Sequence, residues 1–116
     1  MAEDENKQIG AEVCRALANR LSEEALLEQI AEECGELVQQ CAKRLRILRG
    51  ENPTPVGLAD NYEHLVEELA DVHLVTGIYE LKMMGIDSER IYSVVARKFL
   101  RWSERLGLDT DDYLRE

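Results

Sequence analysis

The chain has 116 residues, and its 24 acidic against 14 basic side chains give it a formal charge of −10. This length fits one domain with one modest core, and an apolar content of 45% is too high for a disordered acidic tail. The negative charge argues against a nucleic-acid partner, and no apolar run is long enough to predict a membrane span.

The start of the chain and its cysteines predict the compartment. The first six residues are acidic and polar, which argues against a secretory signal. Three cysteines, an odd number, favour a reducing environment, so we expect a cytoplasmic protein. Cys34 and Cys41 would lie about 10.5 Å apart on one helix, which is too far for a disulfide. We interpret the cysteines as small apolar residues of a helix face.

Apolar periodicity predicts an all-α protein with four helices. The first is predicted over about residues 8–20, and its apolar residues on one side are Ile9, Val13, Ala16 and Leu17. The second is predicted from the N-cap Ser22 to about Arg49, with Gly50 ending it. Its apolar residues recur at intervals of three, four and seven and form one stripe: Leu26, Leu27, Ile30, Cys34, Leu37, Val38, Cys41, Leu45 and Leu48.

A loop follows, because both prolines of the chain stand between Gly50 and Gly57. The third helix is predicted to open with a capping box formed by Asp60 and Glu63 and to run to about Met84, before Gly85.

The fourth helix is predicted to begin at a cap provided by Asp87 or Ser88 and to end near Leu106 and Gly107.

The middle of the third helix is apolar in nearly every direction around its axis. A helix of this kind is buried on all sides, and a chain of 116 residues has few places to bury one. We therefore expect a bundle of four helices that is completed by oligomerisation.

Two pairs of carboxylates stand three residues apart, one pair on each of the two long helices. Glu33 and Glu36 share a face of the second helix, and Glu68 and Asp71 share a face of the third. Each pair borders the side that packs, so antiparallel packing would bring four carboxylates together. Such a cluster needs a cation, and Mg²⁺ is commonly held by carboxylates together with substrate phosphates.

Other interpretations of these acids are a set of solvated glutamates or a di-iron site. The di-iron carboxylate bundles use a Glu-x-x-His motif, and neither His64 nor His73 stands three residues after an acidic residue of the cluster. Gly35 is unfavourable inside a helix, and we interpret it as making room beside the carboxylates.

The fourth helix carries a basic stripe within about 100° of arc. Its members are Arg90, Arg97, Lys98, Arg101 and Arg105. Such a stripe is either a solvated face paired with acids or a site for phosphate oxygens, which Arg and Lys bind well.

The acidic motifs resemble those of the MazG-like, all-α nucleoside triphosphate pyrophosphohydrolases. Glu32-Glu33-x-x-Glu36 and Glu67-Glu68-Leu69-Ala70-Asp71-Val72 are similar to the two acidic motifs of that family. Lys98-Phe99-Leu100-Arg101 resembles the Lys-Phe-x-Arg that follows them. The resemblance covers about residues 22–106.

The resemblance implies Mg²⁺-dependent hydrolysis of a nucleoside triphosphate (NTP or dNTP) to the monophosphate and pyrophosphate, with Mn²⁺ as a substitute metal. It implies a homodimer or tetramer. It divides the chain into an N-terminal helix (1–21), a catalytic helical domain (22–106) and a polar tail (107–116).

The residues implied for the site fall into three groups. The metal ligands would be Glu33, Glu36, Glu68 and Asp71, and the catalytic residues Glu32, Lys98 and Arg101. Substrate binding would involve Lys98 and Arg101, which match the motif, together with Arg97 and Arg105 of the basic stripe. The alternative function is a non-enzymatic helical dimer that acts as a protein-interaction module through its apolar third helix.

Overall fold

The computed structural model describes residues 2–50, 57–84 and 89–109, which form four α-helices and no strand. The helices are α1 (Ala2–Arg20), α2 (Glu23–Arg49), α3 (Leu58–Met83) and α4 (Glu89–Arg105). The prediction of an all-α protein with four helices is confirmed. Residues 1–83, with α1 to α3, form one compact unit, and residues 84–116, with α4, form another.

Both predicted ends of α2 are confirmed. The Oγ of Ser22 accepts a hydrogen bond of 3.0 Å from the backbone N–H of Ala25, which satisfies one of the free donors of the first turn. Gly50 ends the helix in the left-handed region, at φ 66°, and its N–H donates to the carbonyl oxygen of Arg46 at 2.9 Å.

Two predicted helix starts are wrong. The first helix begins at Ala2 and not near residue 8. Three acidic residues in its first turn stabilise this earlier start, because they lie at the positive end of the helix dipole. The third helix begins at Leu58, so Asp60 lies inside its first turn instead of capping it. Gly57 precedes this turn, and its carbonyl oxygen accepts the N–H of Asn61 at 3.0 Å.

Other sequence predictions concern residues outside the described part of the chain. These are the prolines of the loop, Pro53 and Pro55, Gly85 after the third helix, and the two candidate caps Asp87 and Ser88. Within the described residues α4 ends at Arg105, and Gly107 follows at φ 72°, which favours glycine.

The core of the first unit lies where α1, α2 and α3 meet. It is formed by Ala18, Leu26 and Ile78, each no more than 4% exposed. The partly buried residues packed around it are Cys14, Leu21, Tyr79 and Leu81.

The side of α1 that carries Ile9 and Val13 does not form this core. Both side chains are more than half exposed, whereas Cys14 and Ala18 contact the core from another side of the helix. The side of α1 that packs is therefore the one with the smaller side chains of Cys14 and Ala18.

Hydrogen bonds show that α2 and α3 run antiparallel. The hydroxyl of Tyr79, near the end of α3, donates to Glu23 at the start of α2 at 3.3 Å. At the other end of the pair, Arg44 of α2 donates to the side-chain oxygen of Asn61 of α3 at 3.3 Å. This is the packing direction that brings the two acidic pairs to the same level. We call the contact line between the two helices the α2–α3 seam.

None of the four described helices has the length and apolar character that a membrane crossing requires.

Candidate metal centre

Three carboxylates meet in the α2–α3 seam. One helical turn of α2 presents Glu33 and Glu36, and α3 presents Glu68 from the opposite side. One carboxylate oxygen of each lies within 4.8 Å of the others, which is close enough for a single ion to contact all three. The convergence predicted from the two spaced pairs therefore occurs for these three residues.

Two oxygens in this cluster have no partner among the described residues. Glu33 and Glu68 are partly buried, and the Oε2 atom of each is shielded from solvent without accepting a hydrogen bond there. Buried polar atoms in native proteins are almost always hydrogen-bonded, and a buried carboxylate is paired or bound to a metal. The arrangement fits a hard divalent cation, because such ions take carboxylate oxygens as ligands.

Burial and neighbouring charges raise the pKa of Glu33. Burial is the largest cause, and the negative charges of Asp71, Glu36, Glu68 and Glu32 add to it in that order.

The pKa of Glu68 is also raised, first by burial and then by its hydrogen bond with Glu36. A hydrogen bond between two carboxyl groups requires a proton on one of them, so this contact favours the protonated form. The charges of Glu36, Asp71 and Glu67 raise the pKa further. In the absence of a cation, burial and neighbouring negative charge therefore both disfavour the ionised forms of Glu33 and Glu68.

The other acidic residues predicted for the site lie at its edge. Asp71 is not one of the three carboxylates within 4.8 Å, but it is close enough for its charge to act on Glu33 and Glu68. Glu32 is exposed beside Glu33 and also raises the pKa of that residue. A Cβ atom added at Gly35 would meet nothing within 4 Å, so packing among the described residues does not require a glycine there.

The basic residues predicted to bind substrate are on α4, in the second unit. Arg97, Lys98, Arg101 and Arg105 are all exposed. Three of them, together with Trp102, line a surface depression of about 240 Å³: Lys98, Arg101 and Arg105. A concentration of positive charge beside an exposed aromatic ring is suited to an anionic ligand.

A second set of polar residues, which was not predicted from the sequence, lies in the α2–α3 seam. Gln40 and Arg44 follow Glu36 at steps of four along α2, so they continue the face that carries the carboxylates. Asn61 contacts both of them from α3. The spacing of four residues between Glu36, Gln40 and Arg44 can be seen in the sequence and predicts that they share a face of α2. The burial of Asn61 against that face follows only from the packing of the helices.

The comparison with known protein families agrees with this geometry. The model of the MazG nucleotide pyrophosphohydrolase domain matches residues 21–105, and the chain belongs to this family. The family consists of metal-dependent hydrolases of nucleotides, and the acidic cluster lies within the matched part of the chain. Comparisons with curated proteins and with solved structures returned no match.

The raised pKa values predict how stability depends on pH in the absence of metal. Folding raises the pKa of Glu33 and Glu68 above the ordinary value of 4.5, so the folded state binds protons more tightly than the unfolded state. Their stabilising contribution is complete below 4.5 and is lost as the pH rises through the raised values. We expect metal-free protein to lose thermal stability as the pH rises from 4.5 through the raised pKa values, and Glu33→Gln to reduce this loss.

Thermal unfolding followed by circular dichroism, in chelator and at constant ionic strength, measures this dependence. The exposed Glu28 provides the matched control, because Glu28→Gln removes the same charge from α2 away from the cluster. Equal pH profiles for the two variants would contradict the assignment of the effect to the cluster.

Proposed function

We propose that the protein hydrolyses a nucleoside triphosphate, either an NTP or a dNTP, to the monophosphate and pyrophosphate, using Mg²⁺ with Mn²⁺ as a substitute. The observation that carries the proposal is the approach of three carboxylate oxygens, from Glu33, Glu36 and Glu68, to within 4.8 Å of one another. The membership of the chain in the MazG nucleotide pyrophosphohydrolase domain family supports the reaction class.

The metal ligands in this proposal are Glu33, Glu36 and Glu68, with Asp71 as the fourth. When bound, Mg²⁺ would neutralise charge on the triphosphate and lower the pKa of a water ligand. The carboxylates would hold the cation in the α2–α3 seam, where its positive charge would offset their mutual repulsion. The exposed carboxylate of Glu32, beside Glu33, is placed to orient a water molecule or accept a proton from it.

Phosphate oxygens of the substrate would be bound by basic residues of α4. Lys98 and Arg101 are the preferred residues because they belong to the motif that resembles the family, and Arg97 and Arg105 extend the positive surface. Charge-assisted hydrogen bonds from these side chains would stabilise negative charge that develops on the phosphates during hydrolysis. The same groups explain how a chain with a charge of −10 binds a polyanion.

We also propose that the protein is cytoplasmic, as its three cysteines suggest.

We further propose that a second copy of the chain covers part of the first unit. An exposed apolar stripe runs along the second half of α2, spaced at intervals of three and four: Val38, Cys41, Leu45 and Leu48. A similar stripe lies on the first half of α3: Leu58, Tyr62, Val66 and Leu69. Contiguous apolar surface of this kind is typical of an interface between proteins.

Replacing Glu68 by Gln tests the metal centre. We expect Mg²⁺ affinity, measured by titration calorimetry, and pyrophosphate release to be greatly reduced, because an amide is a weaker ligand for a hard cation than a carboxylate. Without metal the variant should be at least as stable as the unmodified protein, because one of the repelling charges is gone. Added Mg²⁺ should stabilise the unmodified protein and have little effect on the variant.

The matched control is Glu67→Gln, which removes the same charge from the exposed neighbour of Glu68. A large loss of thermal stability in metal-free Glu68→Gln would instead mean that Glu68 is part of a structural ion pair. Unchanged metal binding in that variant would exclude the proposed metal centre and favour the alternative function of a protein-interaction module.

Replacing Lys98 or Arg101 by Ala tests the phosphate contacts. Loss of one charge-assisted hydrogen bond should lower kcat/KM by roughly ten- to a hundredfold while thermal stability is retained, because both side chains are exposed. Arg90→Ala is the matched control, since Arg90 is an exposed basic residue near the other end of α4. Equal kinetics in all three variants would assign the basic stripe to solvation alone.

Sedimentation equilibrium tests the oligomer. We expect a mass of two or four times the 13.3 kDa of the chain at micromolar concentration. Val38→Lys should shift the distribution towards the monomer. Val38 is 67% exposed in the single chain, and in the proposed oligomer the new charge would be buried in the apolar interface. Gln39→Lys, on the exposed neighbour, should leave the mass unchanged. A stable monomer of the unmodified chain would contradict the proposal.

A further inference from the structure

The carboxylates mark one side of the α2–α3 helix pair, which we call the carboxylate side. Ile78 and Lys82 follow Asp71 by seven and eleven residues, so both lie within about 20° of it around α3. There α1 covers the pair, because Ile78 packs with Ala18 of α1 and Nζ of Lys82 donates to the carbonyl oxygen of Ala18 at 2.8 Å. Residues 3–13 of α1 are all exposed, so the first part of that helix does not pack on the pair. The free surface next to the carboxylates therefore lies towards the other end, where α2 ends and α3 begins.

Lys43 lies on this free part of the carboxylate side. It follows Glu36 by seven residues, so the two positions are within about 20° of each other around α2 and about 10.5 Å apart along its axis. Side chains of a helix lean towards its N-terminus, so Lys43 leans towards Glu36. The long apolar stem of lysine spans part of this distance and leaves room for a phosphate group between its Nζ and the carboxylates.

The ammonium group of Lys43 is available to a ligand. The side chain is partly buried, and it makes no hydrogen bond or ion pair with the described residues. The neighbouring Arg44, in contrast, donates to Asn61. Arg46 and Arg49 belong to the last turn of α2, where positive charge favours the negative end of the helix dipole. Among the basic residues of α2, Lys43 is therefore the one that is suited to an anion at the carboxylates.

The surface assigned to a second copy of the chain leaves Lys43 uncovered. The exposed apolar stripe of α2, from Val38 to Leu48, lies about 140–160° around the helix from Lys43. An oligomer that covers this stripe therefore covers the opposite side of α2.

His64 of α3 is a second basic group on the carboxylate side, since it precedes Asp71 by seven residues. Its side chain leans towards Leu58, at the start of α3, and therefore away from the carboxylates. The direction of the side chain thus favours Lys43 over His64.

We propose that Lys43 is a further substrate-binding residue, whose Nζ binds phosphate oxygens of the triphosphate on the carboxylate side. The inference rests on the proposed function, because a cation at Glu33, Glu36 and Glu68 has to hold the phosphates there. A triphosphate with one Mg²⁺ keeps a net negative charge, which an ammonium group offsets as a point charge. The first unit would then have a phosphate contact of its own, in addition to those proposed for α4.

Binding of inorganic tripolyphosphate in the presence of Mg²⁺, measured by titration calorimetry, tests this contact without requiring hydrolysis. Lys43→Met keeps the stem and removes the charge, and Lys43→Arg keeps the charge. Arg46→Met is the matched control, because it removes a positive charge from an exposed position of the same helix. Binding of Mg²⁺ alone and thermal unfolding are measured for each variant.

In Lys43→Met we expect the dissociation constant of tripolyphosphate to rise roughly ten- to a hundredfold, the size of one lost charge-assisted hydrogen bond. The KM for the nucleotide should rise with it. Lys43→Arg should retain most of the affinity, and Arg46→Met should match the unmodified protein. The affinity for Mg²⁺ alone should not fall in any variant, and thermal stability should change little, because Lys43 has no structural partner among the described residues.

Equal affinities for tripolyphosphate in Lys43→Met and Arg46→Met would overturn the contact and leave the metal centre in place. A loss of thermal stability as large as the loss of binding would assign Lys43 to the fold and would also overturn it. Lys43→Gln replaces Lys43→Met if that variant does not fold. Unmodified protein that binds neither Mg²⁺ nor tripolyphosphate would overturn the proposed function itself, and the contact of Lys43 with it.

Discussion

The packing of α2 against α3 has to withstand the mutual repulsion of carboxylates that it brings together in a partly buried place. The helix pair α2 and α3 brings Glu33, Glu36 and Glu68 together, although burial and like charge both disfavour their ionised forms. Stability alone would not select this arrangement. The arrangement would suit a protein that binds a divalent cation. The shielded oxygens of Glu33 and Glu68, which accept no hydrogen bond from the described residues, would then be metal ligands.

Contacts away from the cluster hold the two helices at the level that the cluster requires. Tyr79 and Glu23 join one end of the pair, and Asn61 joins the other end through Arg44 and Gln40. Leu26 and Ile78 contribute buried apolar surface near the first of these ends. Lys82 adds a bond of 2.8 Å from its Nζ to the carbonyl oxygen of Ala18, which ties α1 to α3. The carboxylates are thus positioned by contacts on both sides of them, and repulsion does not separate the helices.

The distribution of charge bears on the proposed function. Most of the chain is acidic, and the formal charge of −10 would repel a triphosphate. The proposed function resolves this with a cation in the α2–α3 seam and with basic side chains collected on α4. The seam also carries Arg44, which is held by an amide rather than by an acid, so its positive charge is not neutralised by a carboxylate in that contact.

Features that depend on residues close together in the chain could be predicted from the amino-acid sequence. Helix periodicity predicted four helices, the cap of α2 followed from Ser22 and Gly50, and the step of three between Glu33 and Glu36 placed both on one face. The predicted start of α3 was three residues too late, because Asp60 is favourable both as a cap and within the first turn, and the sequence does not distinguish these positions.

Contacts between residues of different helices could not be predicted in this way, because they depend on how the helices pack. The register of α2 against α3 sets Glu68 beside Glu36 and leaves Asp71 at the edge of the cluster, and periodicity carries no information about that register. The same is true of Asn61, which reads as an ordinary polar residue near a helix start and is fully buried because Gln40 and Arg44 face it. Burial and pKa shifts arise from such long-range contacts, so they appear only when the helices are packed.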